Sequence, residues 1–310
     1  LFRSNLLGKQ LSTSDISWQI SPVINASGRM GKPSVALEMM LSSDLGQTEE
    51  LAGQLLRLNK ERQKLGEESW DRLLKMAKDS FEATGSKLVV VEDSTLSRGI
   101  TGVMASRLLK QFNAPALVLA TVAEGRVSAS MRSPDSFNAR DFLSRFSDLF
   151  LDFGGHACAG GFSMDISQLH SFKQRVMDEI DTMDCLPDEV EEVNIDCTLP
   201  EAYMTPDIIK VVEFFEPYGE KNPPLVLLME GAVIENIQIM NNKNGSVQHV
   251  KMTLAFGQYK WPALYWNAAD RIGRDFDVGT AVDIVFRLGR NYFRNQETLQ
   301  ITILDLKPSV

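Results

Sequence analysis

The longest helical pattern in the sequence, over residues 47–84, constrains the fold more than any other feature. It contains no proline, begins near Thr48 and ends at Gly85, and as one helix it would be about 57 Å long. Its apolar stripe shifts by one residue near Gly66, which is about 100° around the helix axis. A helix that presents different faces to different neighbours is typical of a connector between domains. A single long core helix with an irregular stripe is the alternative.

The composition is that of a chain that can bury a sizeable core. Its 310 residues, 44% of them hydrophobic, are enough for two domains, and it has neither a membrane-spanning apolar run nor a signal peptide. The cysteines Cys158, Cys185 and Cys197 form no CxxC pair, so neither a disulfide framework nor a zinc site is indicated. We therefore expect a cytoplasmic protein without bound metal. Because the sequence begins with Leu1, we also expect a piece of a longer protein.

The net charge of −9 is unevenly distributed along the chain. Residues 185–239 contain two basic residues against twelve acidic ones, whereas residues 240–310 contain nine basic residues against six acidic ones. Because the local field rather than the total charge decides whether a polyanion is attracted, the overall acidity does not exclude DNA. The acidic region 185–239 is a candidate docking region for a protein partner.

Residues 85–184 alternate between strand and helix patterns, which predicts an α/β layer arrangement around a central sheet. The predicted strands are 87–92, 116–121, 126–131 and 162–164, and the predicted helices are 99–112, 138–146 and 166–183.

The segment 153–161 combines two glycines, one histidine and a run of tiny residues. Glycines let the backbone approach a ligand closely, and consecutive N–H groups can form an anion-binding nest. His156, beside Gly154 and Gly155, adds a directional donor for phosphate. The alternative is a tight turn with a structural histidine. The small residues on both sides of His156 nevertheless indicate that the backbone of this segment closely approaches a ligand or another part of the protein.

The third predicted strand carries a second group of anion-binding side chains. Alternation places Ser128, Ser130 and Arg132 on the face opposite Ala129 and Met131. Two hydroxyls and a guanidinium on one strand edge suit an anion clamp. Serine and arginine are also common on the polar face of any strand, so the pattern alone does not decide between the two.

Residues 25–30 read locally as a turn with one exposed arginine, Arg29. The planar guanidinium of arginine suits phosphate, although a lone loop arginine is usually only solvated. Residues 1–46 look like the end of a domain that began earlier.

The last part of the chain has repeated short alternating strands. After an acidic linker with a short helix at 206–215 and a dense turn at 216–224, five or six strands follow in about 85 residues, which predicts a small closed barrel such as an OB-fold. They are predicted at 225–228, 232–240, 249–256, 261–266, 280–288 and 300–305.

Aromatic and basic residues alternate in this late block, which is how proteins hold single-stranded nucleic acid without sequence preference. Many of these rings must also be barrel core. The candidate contacts to single-stranded DNA are Lys260, Trp261, Arg287, Arg290, Tyr292 and Arg294.

Together these motifs resemble the C-terminal two-thirds of the bacterial RecJ family. They are residues 25–30, 58–63, 99–108 and 216–223, with Gly154-Gly155-His156, Ala159 and Gly161. RecJ proteins are single-strand-specific 5′→3′ DNA exonucleases of the DHH phosphoesterase superfamily. The resemblance covers nearly the whole chain in the family's order.

The resemblance implies a domain arrangement. Residues 1–46 would be the remnant of a DHH domain, 47–84 the connector helix, 85–184 the DHH-associated domain, 185–224 the acidic linker and 225–310 the OB-fold. The DHH domain of the family carries two Mn²⁺ or Mg²⁺ ions that activate water. No Asp-His-His run occurs here, and the only histidines are His156, His170 and His249. We expect this chain alone to bind no catalytic metal, to contain no catalytic residue and to cleave nothing.

The resemblance also implies that the substrate is single-stranded DNA with a 5′-phosphate, bound by a monomer. The implied phosphate site consists of Arg29, Ser130, Arg132, Gly154, Gly155 and His156. One departure is Leu96-Ser97, where the family usually has Trp-His. The alternative functions are a non-catalytic single-strand-binding or scaffold relative, and a DHH-type phosphodiesterase for short oligonucleotides or cyclic dinucleotides.

Overall fold

The computed structural model describes residues 6, 11–122, 125–182, 192–241, 248–293 and 296–309. The chain forms two compact units, Leu1–Glu189 and Val190–Val310. No helix in the described ranges combines the length and the apolar character that crossing a bilayer requires.

The first unit begins with helices. They are α1 (Thr13–Asp15), a π-helical turn (Ile16–Ile20), α2 (Ser21–Arg29), α3 (Pro33–Leu41) and α4 (Leu45–Ala83). The prediction of a turn at residues 25–30 is therefore wrong, because most of this segment is the end of α2. Pro22 lies in the first turn of α2, where a missing N–H costs nothing, and Ala26 and Ser27 are buried on its inner face.

The long helix α4 is confirmed as one helix of 39 residues. It begins before the predicted Thr48, because the Asp44 side chain caps it by accepting a hydrogen bond from the Gln47 N–H at 2.8 Å. The helix contacts α2, α3 and β1, and Leu73 and Ala77 in its second half lie in the core beneath the sheet. The shift in its apolar stripe thus corresponds to a change of packing partner along the helix.

The central sheet of the first unit has five strands in the order β1-β2-β3-β5-β4. The strands are β1 (Val89–Glu92), β2 (Ala116–Val122), β3 (Arg126–Arg132), β4 (Asp152–His156) and β5 (Ala159–Asp165). The helices are α5 (Thr101–Phe112), α6 (Ala139–Ser144) and α7 (Leu169–Thr182), with 3₁₀ turns at Arg98–Ile100, Ser147–Leu149 and Ile166–Gln168. The β1–β2 pair is parallel and the other pairs are antiparallel. The predicted α/β class is confirmed.

The two faces of this sheet have different neighbours. One face packs on α6 and α7 through a core that includes Phe142, Leu143 and Phe172. The other face packs on α4 and α5, which lie over β1, β2 and β3, with Leu73 and Met104 in that core. Helix coverage of the second face is thus concentrated at one side of the sheet.

The second unit is a closed five-stranded barrel. Its elements are β6 (Cys197–Thr198), a 3₁₀ turn (Glu201–Tyr203), α8 (Ile208–Phe214), β7 (Leu227–Asn241), β8 (Gln248–Phe256), β9 (Tyr259–Tyr265), a 3₁₀ turn (Ala269–Arg271), β10 (Ala281–Phe293) and β11 (Gln296–Pro308). The barrel runs β7-β8-β9-β11-β10 and closes through β10–β7, with β9 and β11 parallel. This circuit confirms the predicted OB-fold.

The prediction of separate strands at 225–228 and 232–240 is wrong, because β7 is continuous through both. Gly231 takes a φ of +77° at the junction, and its N–H is bonded to the Asp283 carboxylate at 3.0 Å. A glycine can adopt this conformation without strain, so the strand bends without ending.

Candidate phosphate-binding site and nucleic-acid interface

The strand register brings Arg132 and His156 onto one face of the sheet. Arg132 of β3 pairs with Ala159 of β5, and Ala159 pairs in turn with His156 of β4. Directly paired residues in antiparallel strands point to the same side, and two strand spacings separate the outer Cα atoms by about 10 Å. The middle residue of this row, Ala159, has only a methyl side chain. Arg132 and His156 therefore lie on either side of a shallow surface, which we call the floor of the site.

The adjacent register row extends this floor. Ser130 pairs with Gly161, and Gly161 pairs with Gly154, so the row carries one hydroxyl and two residues without side chains. A Cβ built on Gly154 would meet nothing within 4 Å, and both Gly154 and His156 are exposed. The structure therefore brings together four of the predicted site residues around an open surface.

The first turn of α5 borders this surface. Ser130 and Thr101 share a hydrogen bond of 2.9 Å between their hydroxyl oxygens, and Thr101 is 2% exposed. A Cβ on Gly102 would lie 3.0 Å from Nη2 of Arg132, so the guanidinium lies directly against this turn. The N-terminal end of a helix carries partial positive charge and unpaired N–H groups, which favour a bound anion.

Arg29 reaches the same place from α2. Its Nη1 donates to the Gly99 carbonyl at 3.2 Å, and a Cβ on Gly99 would lie only 1.7 Å from the Arg29 carbonyl oxygen. This contact between two backbones is possible only with glycine at position 99, and it locks the end of α2 to the turn before α5. Burial, and then the charge of Arg29, lowers the pKa of Arg132.

Arg62 of α4 is a further, partly buried arginine for which we predicted no role. Its Nε and Nη2 donate to Oδ1 of Asn59 at 3.2 and 3.0 Å. Burial, and then the charge of Arg29, lowers the pKa of Arg62 as well. Across the described residues, no carboxylate forms an ion pair with Arg29, Arg62 or Arg132. The spacing of Asn59 and Arg62 on one helix face could have indicated this pair in the sequence.

The tiny residues of segment 153–161 have a packing role that we did not predict. The segment is a β-hairpin rather than a loop, and a Cβ on Gly155 would lie 2.4 Å from the Ala159 carbonyl oxygen. A Cβ on Gly160 would lie 2.7 Å from Leu143 Cδ1, and one on Gly161 would lie 3.0 Å from the Ala129 carbonyl oxygen. Close approach to the protein itself explains these three glycines.

The prediction that Trp261 stacks on DNA bases is wrong, because its ring lies in the barrel core and the residue is 3% exposed. Strand alternation turns Trp261, Ala263 and Tyr265 inward together. Lys260 points outward and forms an ion pair with Glu235 at 2.8 Å.

Arg290 is engaged within the barrel unit, since its guanidinium forms ion pairs with Glu213 and Glu297. These ion pairs offset much of its charge, and a contact between Arg290 and DNA stays a prediction. Arg287 is exposed on the same strand. Arg294 and the side chain of Tyr292 lie outside the described residues.

Some carboxylates of the acidic region 185–239 also have partners inside the unit. Besides Glu213 and Glu235, Asp196 accepts a hydrogen bond from the Val226 N–H at 2.7 Å. Docking of a protein partner on this region stays a prediction.

Trp266 is an exposed aromatic residue of the barrel that we did not select as a DNA contact from the sequence. It follows β9 directly and is 50% exposed, and its ring meets that of His249 edge-on with centroids 4.7 Å apart. Asn267, with φ +55°, donates its N–H to Nδ1 of His249 at 3.2 Å and so fixes the turn. Lys251 is exposed two residues beyond His249 on the same face of β8. The sequence did contain a signal for its exposure. Trp266 comes directly after Tyr265, the last of the alternating inward-facing residues of the strand.

Two family models match the chain. The one described as the DHHA1 domain matches residues 85–182, and the one described as the RecJ OB domain matches residues 195–305. The chain contains a DHHA1 domain followed by a RecJ OB domain. This result confirms the resemblance that the motifs indicated, and the OB match coincides with the closed barrel.

Relatives of known name extend the match to almost the whole chain. Over 94% of its length, the chain is 30% identical to the single-stranded-DNA-specific exonuclease RecJ of Bacillus subtilis and 30% identical to that of Thermus thermophilus. It spans 36% and 40% of these proteins. The crystal structure of Thermus thermophilus RecJ with Mn²⁺ matches 99% of the chain with a TM-score of 0.74 and 28% identity, and the chain covers 43% of it. The chain thus spans less than half the length of these relatives.

Divalent metal does not fit the candidate site. Thermus thermophilus RecJ has been crystallised with Mn²⁺ and with Mg²⁺, but the described residues of this chain contain no group of three or more His, Cys, Asp or Glu side chains that could hold a metal ion. Guanidinium and hydroxyl groups dominate the site, and guanidinium repels cations. The site suits an anion.

Proposed function

We propose that this chain forms the substrate-holding part of a single-stranded-DNA-specific exonuclease of the RecJ type. In this proposal the first unit binds the 5′-phosphate of the strand, and the barrel binds the strand itself. The observation that carries it is that Arg29 and Arg132, neither with a carboxylate partner in the described structure, lie next to Ser130 and the first turn of α5. Like charges held together in this way are stabilised by a bound anion.

The geometry supports a specific division of roles. Arg132 would donate its guanidinium N–H groups to two phosphate oxygens, and Ser130 would exchange its hydrogen bond with Thr101 for one to the phosphate. Gly154 leaves room for the phosphoryl group, and His156 would donate from the opposite side. Fixing the terminal phosphate in this way orients the adjacent phosphodiester bond for cleavage.

The cleavage step itself lies outside this proposal. Metal ions in such enzymes activate water and stabilise the departing oxygen, and the described residues offer no site for them. We expect the 310-residue chain to bind oligonucleotides without cleaving them when Mn²⁺ or Mg²⁺ is added. This leaves a non-catalytic single-strand-binding relative as the second candidate. If a longer protein that contains this chain cleaves the oligonucleotide and the chain alone does not, the result would favour the exonuclease over that candidate.

A titration of 5′-phosphorylated against 5′-hydroxyl oligonucleotides tests the phosphate site. Charge-assisted hydrogen bonds to a phosphate predict that the phosphorylated strand binds about tenfold more tightly or better. Fluorescence anisotropy with a 3′-labelled 12-nucleotide strand measures both affinities. Equal affinities for the two strands at low salt would contradict the proposal, whereas affinity that is independent of salt would contradict backbone binding by the barrel.

Replacing Trp266 with alanine tests the barrel interface. Loss of one stacking platform is expected to weaken binding of both oligonucleotides by about 1 to 3 kcal/mol, while Trp266→Phe retains most of the affinity. The matched control is Phe214→Ala, which removes an exposed ring (84% exposed) from a different element of the same unit. If both alanine variants bind like the wild type, Trp266 does not contact the strand.

A further inference from the structure

The helix α8 of the barrel unit presents apolar side chains to the solvent. Val211, Phe214 and Phe215 are 50%, 84% and 47% exposed, and Phe215 follows the helix directly in a helical conformation. Their spacing of three and four residues places them on one side of the helix, and the two rings meet edge-on with centroids 6.1 Å apart. We call these three residues the α8 patch. A contiguous exposed apolar patch marks an interaction site, whereas isolated exposed apolar residues do not.

The opposite side of α8 anchors the helix to the barrel. Ile209 and Val212 are each 6% exposed and belong to the barrel core. Glu213 forms an ion pair with Arg290 of β10, which ties the helix to the wall of the barrel. The fold therefore holds α8 in place without the outer rings, and we expect their truncation to leave the unit folded.

The residues after α8 fix the position of the two rings. The Tyr218 hydroxyl donates to the Val212 carbonyl. The Asn222 side-chain amide donates to the carbonyls of Phe215 at 2.8 Å and Pro217 at 3.0 Å. Because these bonds already order the end of the helix, a partner that covers the patch loses little affinity to ordering it.

The surroundings of the α8 patch are negatively charged. Residues 192–239 contain nine acidic residues against two basic ones. Glu216 and Glu220 follow Phe215 and form no ion pair in the part of the chain that the structure describes. Burial, and then the charge of Glu216, raises the pKa of Tyr218, so this carboxylate lies near the end of α8. The carbonyl end of a helix itself carries partial negative charge.

We propose that the α8 patch is a docking site for a partner protein that contributes an apolar segment flanked by lysine or arginine. Apolar side chains of the partner would cover the patch, and its cations would lie beside Glu216 and over the rings, where cation–π attraction adds to ion pairing. An oligonucleotide does not suit this surface, because carboxylates repel phosphate. The proposal does not depend on the phosphate site or on Trp266, so it stands even if the proposed function fails.

Selection of random short peptides tests the docking site without a known partner. A phage-displayed library is panned on the immobilised chain, with Phe214→Ala as the target for counter-selection. We expect enriched sequences that combine apolar residues with adjoining lysine or arginine. Synthetic peptides of these sequences should bind Phe214→Ala about tenfold to a hundredfold more weakly than wild type, as for a ring at the centre of an interface. Fluorescence anisotropy measures both affinities.

Further variants separate charge, packing and folding. Glu216→Gln should weaken the selected peptides about twofold to fivefold, and added salt should weaken their binding to wild type. The matched control is Val278→Ala, which truncates another exposed apolar side chain of the barrel unit, 56% exposed, and should bind as wild type does. Hydrogen exchange on the wild type should slow over residues 208–222 when a peptide binds, which tests the location without any variant.

The other possible results overturn the proposal. No enrichment, an acidic consensus, or equal binding to Phe214→Ala and wild type would show that the patch does not dock such a partner. A dimer in sedimentation velocity that Phe214→Ala converts to a monomer would assign the patch to a second copy of the chain. Weaker oligonucleotide binding by Phe214→Ala would assign it to nucleic acid. Peptides that bind this chain but not a longer protein containing it would show that another part of that protein covers the patch.

Discussion

Arg132→Ala is expected to abolish the preference for a 5′-phosphate. The guanidinium lies against the first turn of α5 and on the same face as His156, so its loss removes the main donor to the terminal phosphate. Affinity for the phosphorylated oligonucleotide should fall about tenfold to a hundredfold, and that for the 5′-hydroxyl strand should change by about twofold or less. Titrations of both strands by fluorescence anisotropy measure the ratio directly.

Two variants serve as controls for this result. Arg132→Lys keeps the charge but loses the planar fork, so it should recover only part of the preference. Arg126→Ala removes an exposed arginine from the same strand, six residues away, and should bind both oligonucleotides as wild type does. If Arg132→Ala keeps the wild-type ratio of affinities, this arginine does not bind the terminal phosphate.

Gly155→Ala is expected to destabilise the first unit by about 3 kcal/mol, the upper end of the usual cost of overpacking. The added Cβ would lie 2.4 Å from the Ala159 carbonyl oxygen and 2.6 Å from the Gly160 Cα, and both are backbone atoms of the paired strand. The φ of +156° at Gly155 also disfavours any residue with a side chain. Urea unfolding measures the loss, and hydrogen exchange over residues 152–165 locates it.

The neighbouring glycine provides the matched variant. A Cβ at Gly154 meets nothing within 4 Å, so Gly154→Ala should leave the free energy of unfolding within about 0.5 kcal/mol of wild type. Its methyl group would occupy the open floor beside Ser130, and the 5′-phosphate preference should fall about tenfold. Equal stability of the two glycine variants would contradict the packing role of Gly155. Unchanged phosphate preference in Gly154→Ala would show that the phosphate does not lie on this floor.

Local patterns in the sequence predicted most secondary-structure elements, because hydrophobic periodicity depends only on which face of an element is buried. The strands β2 and β3 and the helix α5 fall within two residues of their predicted bounds. Alternation also placed Ser130 and Arg132 on the polar face of β3, and the register confirms that they share a face. The prediction of a turn at residues 25–30 was wrong because short polar residues are common both in turns and at helix ends. Here the packing of α2 on α4 favours the helix.

The sequence explained only in part why segment 153–161 is rich in glycine and alanine. Gly155, Gly160 and Gly161 are explained by contacts with neighbouring strands and α6, which no local pattern reveals. In the barrel, a cluster of rings and cations could not show which rings point inward. The fold turned Trp261 into the core and left Trp266 exposed.

By itself, the sequence determined that a long helix precedes an α/β domain and that a small β-barrel follows it, and its motifs carry the resemblance to the RecJ family. These are properties of residues near one another along the chain. Only the tertiary structure decided that Arg29 and Arg132 meet at the beginning of α5, since they come from α2 and β3. It did so through contacts distant in sequence, above all the approach of the Arg29 carbonyl to Gly99, where there is no room for a side chain.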